Sequence, residues 1–353
     1  MNYEYSEDNL VEKTAIDLFF DKLGWDTLLA YNKESFGEGS TLGRLNKKEV
    51  VLKKIFFEKI KAFNPGLPQK AYEEAYEKLT EESIAKSLAE INFEKHQLLR
   101  NGIPVLLPSL AGEVPGVRQV TLKVFDFETP DNNNFLAVRQ LWLQGKSNRE
   151  RRPDIIGFVN GIPLLFIELK AAHRKLENAY NDNFSDYKDV IPKLFYYNAF
   201  VLLSNGIESR IGSLTGKYQH FHEWKRIAEE DEGIVALDRI IIGVCEKKRF
   251  LDLFENFILF DNSLGRVVKL IARNHQFIGV NKAIENIQHK DQLYKLGKIS
   301  VEEKQKLGVF WHTQGSGKSY SMVFCGKHQQ RQDHALDVRK IKFVCGKYQE
   351  RLT

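Results

Sequence analysis

The sequence predicts an α/β protein built in two parts, and three observations carry that expectation. Strand-length apolar runs, DIIGFV, PLLFIELK and AFVLLS, alternate with Lys- and Glu-rich stretches of helical pattern. The strand GVFW runs directly into a glycine-rich turn and a short helix, the strand–turn–helix order of α/β folds. The length of 353 residues, at roughly 150 per domain, suggests two domains. The boundary is expected near 255–265, giving domains of 1–260 and 261–353.

Composition narrows the class. Hydrophobic residues make up 42% and charged residues 28% of the chain, the balance of a globular protein with a substantial core. No apolar run approaches the roughly 18–20 residues that a membrane span requires. The acidic, polar start MNYEYSEDNL does not read as a secretory signal. Cys245, Cys325 and Cys345 are odd in number and form no CxxC pair, which argues against a disulfide scaffold or zinc ribbon and for a reducing cytoplasm. The net charge is +5, from 52 Lys and Arg against 47 Asp and Glu. That excess falls entirely after residue 299, where ten basic residues face five acidic ones. Such mild basicity permits a nucleic-acid partner without requiring one.

Taken in order, residues 8–24 read as an amphipathic helix capped at Ser6 or Asp8 and ended by Gly24. Residues 46–62 and 69–100 are helical in pattern, separated by a turn from Pro65 to Pro68. From Asn101 the texture becomes β, with IPVLLPSL, VRQVTLKVFDFE and FLAVRQLWLQG punctuated by Gly and Pro. DIIGFV and PLLFIELK are two further strands, followed by a polar helical stretch at 172–189. AFVLLS (199–204) leads into ESRIGSLT, and residues 219–260 mix helix and strand, with a strand expected at RIIIGVC (239–245). A long helix is expected over 264–290, before the strand GVFW (308–311).

The densest chemistry lies in Arg152-Pro153-Asp154, then thirteen residues, then Glu168-Leu169-Lys170. Phosphodiester hydrolysis needs a divalent cation held by hard oxygens and an activated water beside it. Two carboxylates on adjacent strands supply such ligands, with a main-chain carbonyl as a third, so Asp154 and Glu168 are the candidate metal ligands. Lys170 shares a face with Glu168 because strand side chains alternate, while Leu169 packs behind. Register is the constraint. Asn160-Gly161 is a strong turn signal, yet a plain two-residue loop pairs Asp154 with Ile167 and leaves Glu168 on the other face. The site therefore requires an odd-membered loop, most simply a type I turn with a glycine bulge and a positive φ at Gly161. The plain alternative is a turn at Asp154 and a solvated edge at Glu168–Lys170. Against it, the runs between the charges are almost wholly apolar, and unpaired charge at the ends of buried strands is costly.

Glu12 shares an apolar helix face with Ile16, Phe19 and Leu23, either as a third acid of the site or as a residue of the exposed helix start. Asn183 and Tyr187 stand four apart on one helix face, to position a backbone phosphate or simply to form a surface. Further on, His312-Thr313-Gln314-Gly315-Ser316-Gly317-Lys318-Ser319 follows GVFW. Its glycines, Gly315 and Gly317, let backbone N–H groups around Ser316 wrap a phosphate at the positive end of a helix. Lys318 is placed to reach the β/γ-phosphates and Ser319 to ligate Mg²⁺, although the strict pattern has glycine where His312 stands. A complete ATPase also needs a second strand ending in an acidic residue. Here KIKFVC (340–345) is followed by Gly346-Lys347, so ATP hydrolysis is not expected of this chain.

The segments RPDIIGFVNGIPLLFIELK, NFSDYKDVIPKLFYYNAFVLLSNGIESRIGSL and FWHTQGSGKS resemble the restriction (motor) subunit of bacterial type I restriction–modification enzymes, from the first helix to about residue 328. The resemblance implies a PD-(D/E)xK endonuclease domain with a mixed central sheet, followed by the beginning of a RecA-like motor domain. It implies catalytic roles for Asp154, Glu168 and Lys170, with Glu12 at the place of the family's first-helix glutamate. It implies DNA positioning by Asn183 and Tyr187, with asparagine where the family has glutamine, and adenine contact by Gln276 in ARNHQF. The cofactors it implies are Mg²⁺ for the nuclease and ATP with Mg²⁺ in the full-length family. Double-stranded DNA is the implied substrate, and the modification (methyltransferase) and specificity subunits are the implied partners, with no membrane. The tail from 328 to 353 departs from the family's continuation, as an early stop or a displaced reading frame would produce.

The leading expectation is a Mg²⁺-dependent endonuclease without sequence specificity of its own, coupled in the full-length protein to ATP-dependent translocation. The alternatives are an ATP-binding translocase fragment and a non-catalytic module that docks on DNA or a methyltransferase.

Overall fold

The structure is a computed structural model that describes residues 7–31, 33–108, 116–232, 236–263, 265–305, 309–312, 316–331 and 342–345. Two compact units are present: residues 1–224 with 235–271, and residues 225–234 with 272–353.

The first unit opens with helix α1 (Glu7–Asp17), which tightens into a π-helical turn over Leu18–Lys22 and ends at Gly24, held at φ 62°. Strand β1 (Asp26–Leu29) is followed by helices α2 (Lys53–Phe63), α3 (Gln69–Thr80) and α4 (Leu88–Asn101). The helical stretch expected over 69–100 is made of two helices. The cause is legible in retrospect: Ser87 and Glu90 form a reciprocal capping box that starts α4 afresh. A hairpin, β2 (Ile103–Pro108) with β3 (Val117–Leu122), precedes β4 (Phe135–Arg139) and the short ribbon β5 (Leu143–Gln144) with β6 (Glu150–Arg151). The long strands β7 (Ile155–Val159) and β8 (Ile162–Leu169) follow. Helix α5 (Leu176–Asn178) passes through a second π-helical turn, Ala179–Phe184, into α6 (Ser185–Val190) and then α7 (Pro192–Phe195). Strands β9 (Phe200–Ser204) and β10 (Ser209–Gly212), helices α8 (Leu237–Cys245) and α9 (Lys247–Asn256), and the hairpin β11 (Ile258–Asp261) with β12 (Val268–Ile271) complete the unit.

Six of these strands form a mixed sheet in the order β1-β4-β7-β8-β9-β10. Two of its pairs, β1 with β4 and β8 with β9, are parallel and the other three antiparallel. All residues of β7 and β8 are buried, as continuous apolar runs in a sheet covered on both faces must be. Over one region of the sheet pack Phe184, Tyr187 and Phe195, with ring centroids 5.2–5.7 Å from Phe166. Each such buried apolar side chain contributes about 1.5–3 kcal/mol relative to exposure.

The β7–β8 hairpin solves the register problem differently from expectation. Asn160 and Gly161 form a plain two-residue loop, both with positive φ (51° and 77°), as a type I′ turn requires. Gly161 has its expected positive φ, but the odd residue lies inside the strand. Gly157 pairs with Leu165 and Phe158 with Pro163, which leaves Leu164 as a bulge. Proline tolerates a central strand only where a ladder donor is not required, and a bulge is such a place. The Leu164 carbonyl is not wasted; it accepts the Ala199 N–H across β9 at 2.6 Å. Beyond the bulge Ile155 pairs with Ile167, so Asp154 falls opposite Glu168.

Two other expectations are corrected. RIIIGVC is helix α8, because Leu237, Ile240, Ile241 and Val244 recur at three- and four-residue spacing and are all buried. Burial of that stripe outweighs the weak strand preference of β-branched residues. Close packing adds to it: a Cβ on Gly243 would come within 2.4 Å of Trp224 Nε1. The helix expected over 264–290 starts only at Asn274, since Val268–Ile271 pairs with β11 as a strand.

The second unit contains α10 (Asn274–Lys295), α11 (Val301–Gln305), β13 (Val309–His312), α12 (Lys318–Arg331) and β14 (Lys342–Cys345). Strands β13 and β14 pair in parallel, with α12 as the crossover between them. Among the described residues no helix of either unit is long and apolar enough to cross a membrane.

Candidate functional site

Asp154 and Glu168 lie where β4 and β8 end and β7 begins. Glu168 is 1% exposed, the last acidic residue of an otherwise apolar strand. Its Oε1 accepts a hydrogen bond from Lys170 Nζ at 3.1 Å, while its Oε2 is buried without a partner. Asp154 is fixed by the Leu169 N–H, which donates to its Oδ2 at 2.7 Å across the hairpin. Burial pushes the Glu168 carboxyl well above the usual carboxylate range, and the negative charge of Asp154 adds to the push against the pull of Lys170.

Glu12 is brought to the same place from α1. It is buried, so it is not part of an exposed helix start. Arg139 Nε donates to its Oε2 at 2.6 Å and Gln140 Nε2 to its Oε1 at 2.7 Å. The same Gln140 amide donates to Asp154 Oδ1 at 3.3 Å, which links the two acids. Gln140 adopts φ 59°, a left-handed conformation that costs a non-glycine residue roughly 1 kcal/mol or more. Tyr187 lies under the cluster with its hydroxyl donating to the Arg152 carbonyl at 3.3 Å. Burial, then Glu168 and Asp154, drive its phenol far upward, so it stays protonated, and Asn183 bonds to it across one turn. Asn183 and Tyr187 straddle the end of the π-helical turn, a distortion that recurs at functional sites. Beside the cluster, the Arg152 guanidinium lies 4.4 Å from the Tyr31 ring centre and 5.1 Å from that of Trp142. The neighbouring Arg151 is paired with Asp186.

Sequence reasoning thus found Glu12, Asp154, Glu168, Lys170, Asn183 and Tyr187, and the structure gathers them around one spot. It missed Arg139 and Gln140. No motif marks them, and the only available signal was the question of what satisfies a buried Glu12. It also misplaced the bulge, for which Pro163 inside an apolar run was the overlooked sign. Among the described residues no three His, Cys, Asp or Glu side chains converge closely enough to hold a metal by themselves. The two carboxylates there that could take part in holding a hard divalent cation are Asp154 and Glu168, whose Oε2 has no hydrogen-bond partner.

In the second unit, Gly315 lies outside the described residues, whereas Ser316, Gly317, Lys318 and Ser319 lead from the turn into α12. Gly317 has φ 81°, and a Cβ there would come within 2.7 Å of Gln276 Nε2. The carboxamide of Gln276 is engaged at both ends. Its Oε1 accepts the Arg273 N–H at 2.8 Å, and its Nε2 donates to the Gly317 carbonyl at 3.0 Å. His275 Nε2 adds a contact to the Ser316 carbonyl at 3.0 Å.

Residues 4–220 match the family model described as type I restriction enzyme R protein N terminus, and residues 275–346 match one described as SWI2/SNF2 ATPase. The chain belongs to the family of type I restriction enzyme R proteins. Among individual relatives, it is 34% identical over 327 residues to the type I restriction enzyme HindI endonuclease subunit of Haemophilus influenzae, covering 90% of this chain and 29% of that protein. It is 28% identical over 358 residues to the putative type I restriction enzyme MjaIXP endonuclease subunit of Methanocaldococcus jannaschii, covering 93% of this chain and 32% of that protein. The chain therefore spans about a third or less of the relatives it matches.

Proposed function

We propose that the first unit is a PD-(D/E)xK endonuclease domain that hydrolyses DNA phosphodiester bonds with Mg²⁺ and without sequence specificity of its own. The observation that carries this reading is the convergence of Asp154 and Glu168 at the ends of adjacent strands, with Lys170 bonded to the second acid. A bound Mg²⁺ would be held by Asp154 and Glu168 and would supply Lewis-acid polarisation of the scissile phosphate. Lys170, partly exposed and bonded to Glu168, is the cation of the site that stabilises charge developing on the phosphate. Tyr187, kept protonated, and Asn183 offer neutral hydrogen-bond donors to a backbone oxygen. Arg152, with its guanidinium faces against two rings, supports contact with the phosphate backbone, and such contacts make affinity salt-dependent. The names of the relatives, endonuclease subunits of type I restriction enzymes, support the same reading. In that setting the modification and specificity subunits are the partners, and target recognition lies outside this chain.

The test is nicking of supercoiled plasmid DNA. The wild-type chain should nick it with Mg²⁺ or Mn²⁺ present, and Asp154→Ala should lower the rate by at least about 100-fold. Equal nicking by both, or none by the wild type at any concentration of either metal, would remove the reading.

The second unit supports a further function, binding of ATP with Mg²⁺ at the glycine-rich turn. The left-handed Gly317 ahead of α12 favours it, as does the match to an ATPase family over 275–346. Coupling to DNA translocation belongs to this reading of the full-length protein.

A further inference from the structure

We propose that Gln140 is a positioning residue of the carboxylate site, setting Glu12 and Asp154 in the arrangement that receives a divalent cation. This rests on the nuclease reading and goes beyond it, since the acid–acid–lysine pattern does not include this residue.

Four observations converge on it. Gln140 is 2% exposed and directly follows β4 with φ 59°, a conformation in which bulky side chains are uncommon. Its backbone N–H donates to the main-chain carbonyl of Asp154 at 2.9 Å, so the left-handed turn ties the end of β4 to the residue carrying the acid. Its Nε2 donates to Glu12 Oε1 at 2.7 Å and to Asp154 Oδ1 at 3.3 Å, which places one amide between acids from α1 and from the start of β7. Its Oε1 is buried without a partner, as is Oε2 of Glu168.

The residue type matters as much as the place. A primary amide has two N–H hydrogens, enough to serve both carboxylates at once. An arginine or lysine here would neutralise the acids and compete with a cation. A glutamate would add a third negative charge and lose both donors. A neutral double donor holds two acids together without adding a counter-charge of its own beside the one that Arg139 gives Glu12. Strained backbone of this kind persists where surrounding contacts over-determine it, and those contacts here all lead to the two acids.

The experiment is a calorimetric titration of the whole chain with Mn²⁺, run beside thermal unfolding without metal. Gln140→Met keeps the bulk and removes the amide. Gln140→Gly removes the amide and suits the positive φ, so it keeps the test open where the methionine variant fails to fold. Each is expected to raise the Kd for Mn²⁺ about 10-fold or more, the usual effect of removing an outer partner of a metal ligand. A residue with only a structural role would shift the unfolding midpoint and leave that Kd where it was. Wild-type binding with an unchanged Kd in both variants would overturn the inference alone. No Mn²⁺ uptake by the wild type would overturn the metal site and this inference together.

Discussion

The two sites of this chain are built in opposite ways. The glycine-rich turn is contiguous: its chemistry comes from backbone groups of neighbouring residues, with Gly317 bent at φ 81° just ahead of α12. The carboxylate site is dispersed, with side chains from α1, the end of β4, the start of β7 and the end of β8. A contiguous turn depends mainly on local conformation, here braced from α10 by His275 and Gln276. A dispersed site depends on every packing decision that brings its members together, so its charges are coupled to stability and those of the turn are not.

Three substitutions would break or sharpen that contrast. The largest effect belongs to Arg139→Met. It leaves Glu12, 5% exposed at its side chain, without its charged partner, and such a loss costs about 3–5 kcal/mol. Chemical denaturation reads it directly, and a loss below about 1 kcal/mol would mean that the two sites are not so different.

Glu168→Gln should act in the other direction. The Glu168 carboxyl is raised in the folded protein, so folding holds its proton more tightly than the unfolded chain does. The resulting penalty is absent below the ordinary carboxylate pKa and grows as pH rises through the range above it. The amide variant should therefore be more stable by about 1–2 kcal/mol near neutral pH and equal to wild type near pH 4, measured by thermal unfolding across that range. A gain that does not change with pH would place its cause elsewhere than the charge.

The smallest effect is expected at Lys318→Ala. Its side chain is half-buried at the start of α12, and its removal should move stability by no more than about 0.5 kcal/mol. Any heat stabilisation by ATP with Mg²⁺ should disappear with it. A large loss of stability would show that the turn, too, is tied into its unit.

The same contrast explains what could be read from the sequence. The glycine-rich turn was legible as a string. The acids of β7 and β8 were legible because IIGFV and PLLFI are so apolar that Asp154, Glu168 and Lys170 stand out at their ends. Glu12 was half-legible, on an apolar helix face but with no sign of what it met. Arg139 and Gln140 were invisible, since an Arg-Gln pair closing a strand has no period or spacing of its own. Helix α8 was misread because three consecutive isoleucines imitate a strand at short range, and only the packing of Leu237, Ile240, Ile241 and Val244 reveals the helical face. The helical stretch expected at 172–189 was found, but with a π-helical turn over Ala179–Phe184 that its pattern did not mark.

Leu164 carries a consequence for how such sites are found. The bulge adds one residue to β8 and shifts the pairing beyond it by one, which brings Asp154 opposite Glu168. A hairpin with the same loop and no bulge would bring two acids to one face with an interval one residue shorter than the thirteen that separate Asp154 from Glu168. The interval between the acids is therefore a property of the path and not of the chemistry. A fixed-interval pattern drawn from this chain would pass over a hairpin that presents the same pair of carboxylates. The more faithful signature is parity: an even number of residues with a plain turn, or an odd number with one bulge.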